Sequence, residues 1–325
     1  MAAIGGSAGS DRGVNMSDFE NNSDDGLADW EPAEGVVTHG ASEIPESMHF
    51  FVNPPPEIGE VQTGYSTLEH GKRPMAMGTR FFIGALISAV GIGVGVGIGH
   101  SPIDLICFIL GPIIGIGVWA WLGFKHTCSY VGKAGMARFV LKGSLDAEPT
   151  EEVFVFADAT DLKASQTRHY QNGIYTGTHY SFVWTTPDGR DLLKLGGTYS
   201  SKEGFPKVKD PYHFARVGEI VWSDHISERM QMELDEHGSV EFPVNKNDFV
   251  RVGRGFLEFD FKGAVQRVPA EEIKKLNIGG GVFTIHTNDA GWFGSKGKFS
   301  FNYGNLGNAS MFITAIERLL GYEFD

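Results

Sequence analysis

The chain has 325 residues and a formal net charge of −13. The acid is uneven: residues 1–80 hold 4 Lys and Arg against 13 Asp and Glu, whereas residues 126–325 hold 22 against 26. A near-neutral C-terminal region offers no basic face to a phosphate backbone, so nucleic acid is excluded as the expected partner. The two cysteines, Cys107 and Cys128, make neither a disulfide framework nor a metal-ligand pair, and they suit a cytosol-facing chain. The N-terminus has no basic stretch leading into an apolar core, so no cleavable signal peptide is expected.

Residues 1–80 read as a disordered acidic tail. Asp, Glu, Asn, Gly and Ser dominate residues 1–60, which leaves too little apolar surface to order the chain. Pro54, Pro55 and Pro56 favour an extended run. The MHFFV sequence at 48–52 is read as an isolated apolar patch within that tail.

Residues 81–99 and 105–124 are both uncharged and are separated by HSPID. Helices of that length match a hydrocarbon core about 30 Å thick. The expectation is a transmembrane helix hairpin over 81–124. The small residues Gly91, Gly95 and Gly99, and Gly111 and Gly115, recur at the four-residue spacing that lets helix backbones meet. Packing within the hairpin is favoured over homo-oligomer formation, because one chain supplies both faces. Pro112 is expected to bend the second span, and Trp119 and Trp121 suit an interfacial belt. Lys72, Arg73 and Arg80 precede the spans and Lys125, Lys133 and Arg138 follow them. That pattern predicts an integral protein of the plasma or inner membrane, with the lipid bilayer as partner and both termini cytoplasmic.

From about residue 127 short alternating apolar runs predict strands at 136–141, 152–158, 178–186 and 191–197, with a turn at Asp188-Gly189. After Pro211 the period changes, and Phe214, Val217, Ile220, Val221 and Met230 predict a helix. Strands return at 255–261, 264–268, 281–287 and 298–304. A closing helix follows, with Asn308 as N-cap and Gly321 as stop.

A weak internal repeat runs through this region. YVGKAGMARFVL opens one half and RVGRGFLEFDF the other; ADATDLKAS then stands against PAEEIKKLN. RVPAEEIKKL, a hairpin, and a helix after YGNLGNA resemble the pattern of bacterial pleckstrin-homology-like (PH-like) domains over 240–325, and more faintly over 127–234. The whole layout is similar to uncharacterised membrane-anchored bacterial proteins with a PH-like cytoplasmic region. The resemblance implies an α+β fold: the two-helix transmembrane hairpin, then tandem PH-like β-barrels, modules 127–234 and 240–325, each closed by a C-terminal helix.

Chemistry is sparse. His225 and Glu228 share a helix face without further ligands. Asp158 and Asp161 lack a second catalytic partner. His169, His179 and His286 read as ordinary strand side chains, and residues 279–281 as a glycine turn. No catalytic constellation, metal site or cofactor is expected. The basic residues Lys274, Lys275, Lys296 and Lys298 are the candidate contacts for an anionic lipid or a protein partner, with Glu271 and Glu272 beside them. The expected function is a membrane-anchored scaffold or binding protein presenting its modules to a protein, peptide or lipid. The alternatives are a subunit of an oligomeric pore or transport assembly, and, last, an enzyme at the membrane surface.

Overall fold

A computed structural model describes residues 30–38, 42–69, 77–97, 102–121, 123, 125–143, 147–200, 206–207, 210–290, 296–322 and 324. The first part of the chain gives β1 (Val61–Ser66), α1 (Met77–Gly97), α2 (Pro102–Trp121), β2 (Lys125–Gly132), β3 (Gly135–Lys142) and β4 (Thr150–Val155). Then come β5 (Asp161–Gln171), β6 (Ile174–Thr185), β7 (Asp191–Tyr199) and α3 (Pro211–His237). The remainder holds β8 (Ser239–Asn245), β9 (Asp248–Gly253), β10 (Phe256–Phe261), β11 (Ala264–Pro269), β12 (Ile273–Gly279), β13 (Val282–Thr287), β14 (Lys298–Asn302) and α4 (Ala309–Leu320).

Among the described residues the strands form four antiparallel sheets, ordered β1-β2-β3-β4, β5-β6-β7, β8-β9-β10-β11 and β12-β13-β14. Each half thus runs from a four-stranded sheet through a 3-10 turn (Phe156–Asp158 or Ala270–Glu272) to a three-stranded sheet and a helix; the first half inserts α1 and α2 between β1 and β2, and the second has a further 3-10 turn, Tyr303–Asn305, before α4. The expected closed barrels are corrected. Among the described residues none of the sheets closes on itself, because no ladder joins the four-stranded to the three-stranded sheet in either half.

The membrane expectation is corrected as well. Among the described residues no helix is long and apolar enough to cross a membrane. Within the helices the uncharged runs, 81–97 after Arg80 and 105–121 after Asp104, are each 17 residues, short of the run of about 20 that crosses a hydrocarbon core. The transmembrane hairpin, the integral-membrane location, the bilayer partner and the cytoplasmic termini therefore give way to a helical hairpin. Its outward side chains include Phe81, Phe82, Ile113 and Ile116. Arg80, expected as a free flanking charge, is buried and donates to the Trp119 carbonyl at 3.3 Å. Lys72, Arg73 and Gly99 lie outside the described residues.

The tail expectation changes too. Val61–Ser66 pairs with β2, and Phe50 and Phe51 of the apolar patch are buried with Ile58 and Leu68 against Cys128, Tyr130, Phe139 and Leu141. The outer face of the first sheet is apolar and must be covered, so this segment orders on it. Trp30 meets Phe50 and Tyr130 edge-on. The second half needs no such cover. At the same register its outer face carries ions: Arg251 pairs with Glu241 and Glu258, and Glu258 with Arg267.

The two halves share one core. Trp222, Ile226, Met230 and Leu234 of α3 are buried in the same cluster as Phe156 and Leu162 of the first half and Val240, Phe242, Phe312 and Ile316 of the second. Asn308 ties the halves together. Its Oδ1 accepts from the Leu162 amide (3.0 Å) and the Trp222 indole (2.8 Å), and its Nδ2 donates to the Thr160 carbonyl and to Asp161. It stands at the N-cap position but in the left-handed region, at φ 54°, and makes no side-chain cap bond. Its polar capacity is used between the halves instead. Gly307 adds a backbone bridge to Lys163, so the β5 edge is covered by the second half.

Candidate functional site

A cleft of about 410 Å³ opens in the first half between the first sheet, β7 and the start of α3. That is within the range of small-ligand sites. Met136, Leu193, Leu195 and Phe214 give it apolar walls; Ser129, Arg138 and Lys194 give it polar points. A larger hollow of about 790 Å³ is lined only by residues 30–50. Its walls come from one irregular segment, which rests on the first sheet through Phe50 and the Val37–Thr63 bridge but brings no second element into the hollow.

The internal repeat explains why the cleft exists. Both halves turn through two residues, since Gly132 pairs with Gly135 and Gly253 with Phe256. Counting from those turns, Ser129 paired with Arg138 corresponds to Val250 paired with Phe259. Val250 and Phe259 are buried, and Phe259 stacks on Phe299 of β14 with ring centroids 3.9 Å apart. That stack fills the space between the sheets of the second half. In the first half the same layer holds a serine and an arginine, and β7 contributes Gly196 and Gly197, so the space stays open.

Arg138 is half-buried, and among the described residues its guanidinium forms no ion pair or hydrogen bond. Glu152 lies opposite it in the β3–β4 register. Asp210 is engaged as the cap of α3, accepting from the Tyr212 amide at 3.0 Å. Tyr180 also lines the cleft. Burial, then the Asp210 charge, pushes its phenol up to about 12, and the same causes raise Tyr65. Both phenols keep their protons at neutral pH. A Cβ on Gly197 would lie 2.7 Å from the Tyr180 hydroxyl, so glycine there makes room for the ring.

The basic residues predicted from sequence lie elsewhere. Lys274 and Lys275 are exposed on β12. Lys275 and Lys298 are in register on either side of His286, whereas Lys296 pairs with Asp289 at 3.4 Å. Two of the four thus share one row, beside neighbouring acids. Of the glycines, Gly111 meets Gly91: a Cβ on Gly111 would lie 2.7 Å from the Gly91 Cα. Gly115 packs against Gly84, where a Cβ would come within 2.9 Å of the Gly115 carbonyl oxygen. Gly95 lies within α1.

His225 sits near Phe156 and Trp222, at 5.5 and 6.0 Å between ring centroids; burial and then Arg229 lower its pKa. Glu228 is exposed on the same helix. Asp158 is exposed in its 3-10 turn, while Asp161 belongs to the Asn308 clasp. Burial raises the Asp161 pKa, against the lowering effect of its Thr160 bond. The two carboxylates do not share a site.

Sequence reasoning passed over Ser129 and took Arg138 as a flanking charge. The signal was present: the aligned halves set a polar pair against an apolar pair at one interior layer. No protein-family model matches the chain, and no curated protein matches it.

Proposed function

We propose that the protein is a non-catalytic binding module, an adaptor whose ligand site is the cleft of the first half. One observation carries this reading. At a shared register the second half closes its interior with Val250, Phe259 and Phe299, and the first half places Ser129 and Arg138 around an open space. Leaving an interior arginine without a partner costs stability, since a half-desolvated charge loses solvation. A bound group that pairs with it recovers that loss.

The test uses anilinonaphthalene sulfonate, an apolar anion, as probe on the full chain. The comparison is a Ser129→Val, Arg138→Phe variant that copies the second half. Dye also bound at the α1–α2 surface is common to both chains. The native chain should bind additional dye that the filled variant loses. Equal binding by two folded chains overturns the reading.

A further inference from the structure

The three-stranded sheet of the first half has two edges with different fates. The β5 edge already receives added main chain: Gly307 bridges Lys163, and the Asn308 amide donates to the Leu162 carbonyl at 2.8 Å. The β7 edge pairs with β6 and, among the described residues, with no other strand. It is nine residues long, from Asp191 to Tyr199, and forms one wall of the cleft. An open edge presents a row of unpaired amides and carbonyls, which is the template for strand addition. Gly196 and Gly197 in that strand permit close approach of a second backbone.

The charge at the site selects the side chain. Arg138 reaches the cleft without a partner among the described residues, and Lys194 is exposed on β7 itself. Of the acids in the lining, Asp210 is occupied as a helix cap, and Glu152, directly opposite Arg138 on β4, makes no ion pair with it. A guanidinium beside an apolar wall suits a carboxylate, which it meets in two parallel hydrogen bonds. The apolar lining, from Met136, Leu193 and Leu195, suits aliphatic neighbours of that carboxylate.

We infer that the cleft takes an extended peptide that adds to the β7 edge and sends an acidic side chain, flanked by aliphatic ones, to Arg138. This rests on the binding reading above and names its ligand class.

The experiment selects a phage-displayed random peptide library on the full chain, with the Ser129→Val, Arg138→Phe variant as counter-selection. Enriched sequences should carry an Asp or Glu among Val, Ile or Leu. Replacing that acid by its amide in a synthetic copy should weaken binding roughly tenfold or more, the scale of a charged hydrogen-bonded pair. Arg138→Gln should cause a similar loss, and the two changes together should cost little more than either. Methylating alternate backbone amides of the peptide should abolish binding in one phase of alternation and spare it in the other. Peptides that lack acids and bind Arg138→Gln equally well overturn the inference, while the dye result still judges the cleft. Peptides enriched equally on both chains overturn it too. Insensitivity to backbone methylation in both phases removes the strand-addition geometry.

Discussion

Asn308 is the perturbation that most directly tests how the halves are joined. Asn308→Ala removes the acceptor of the Leu162 amide and of the Trp222 indole, and the donor to Thr160 and Asp161. Asn308 is 6% exposed and Trp222 1%, so water does not readily replace the lost partner. Each orphaned buried donor costs about 1–3 kcal/mol. An alanine at φ 54° adds about 1 kcal/mol of left-handed strain. The expected loss is about 3–7 kcal/mol, read from urea unfolding of the full chain by far-ultraviolet circular dichroism. Asn308→Gly keeps the backbone unstrained and should lose about 1 kcal/mol less. Trp222→Phe removes the same indole donor, so the double variant with Asn308→Ala should fall short of additivity by about 1 kcal/mol or more. An Asn308→Ala loss below about 1 kcal/mol, or strict additivity with Trp222→Phe, would refute the clasp.

Five further outcomes follow from the same packing. Phe259→Ala empties the stack on Phe299 and should cost about 3–5 kcal/mol. The Ser129→Val, Arg138→Phe pair should instead leave the urea midpoint unchanged or raised, and a comparable drop would contradict the register equivalence. Burial of Glu258 would raise its pKa, but Arg267 and Arg251 bonded to it hold it below the ordinary 4.5. The stabilisation is present above pH 4.5 and is lost as pH falls through the depressed value, so Glu258→Gln should flatten the acid limb of a stability–pH curve. A limb of unchanged slope removes that role. Burial pushes the Cys128 thiol up to about 12. At pH 8 the thiolate fraction is then about one in ten thousand, so iodoacetamide should label Cys128 in a Cys107→Ser chain only on unfolding; rapid labelling of the folded chain contradicts the burial. Finally, Gly111→Leu cannot fit beside Gly91, and hydrogen exchange in α1 and α2 should quicken. Unchanged protection of both helices would show that this contact does not hold the hairpin.

Much of the chain order was legible before any contact was known. The alternation at 136–141, 178–186, 191–197 and 281–287 marks β3, β6, β7 and β13, since one buried face imposes a period of two. The long helix after Pro211 is legible too, with a proline at its first turn and Asp210 before it. Strands β1, β5 and β12 carry weaker alternation. They form because neighbours offer a ladder and a face to cover: Val61–Ser66 pairs with β2, and Ile273–Gly279 with β13. The apolar patch at 48–52 had no visible destination, because the sheet face that buries it is built from residues 76 and more positions downstream, Cys128 to Leu141.

The sequence by itself determined the acidic N-terminal bias, two apolar helical segments, the strand-rich halves and the repeated turn that relates them. Local composition and periodicity fix those features, because each depends on residues close along the chain. Tertiary structure alone decided that the sheets stay open, that the halves share a core, and that Asn308 bonds across them rather than capping its own helix. It also decided that an arginine and a serine face a space which a phenylalanine stack fills in the other half. Each of these depends on groups far apart in sequence, where burial removes water and leaves a polar atom only the partners that the packing brings to it.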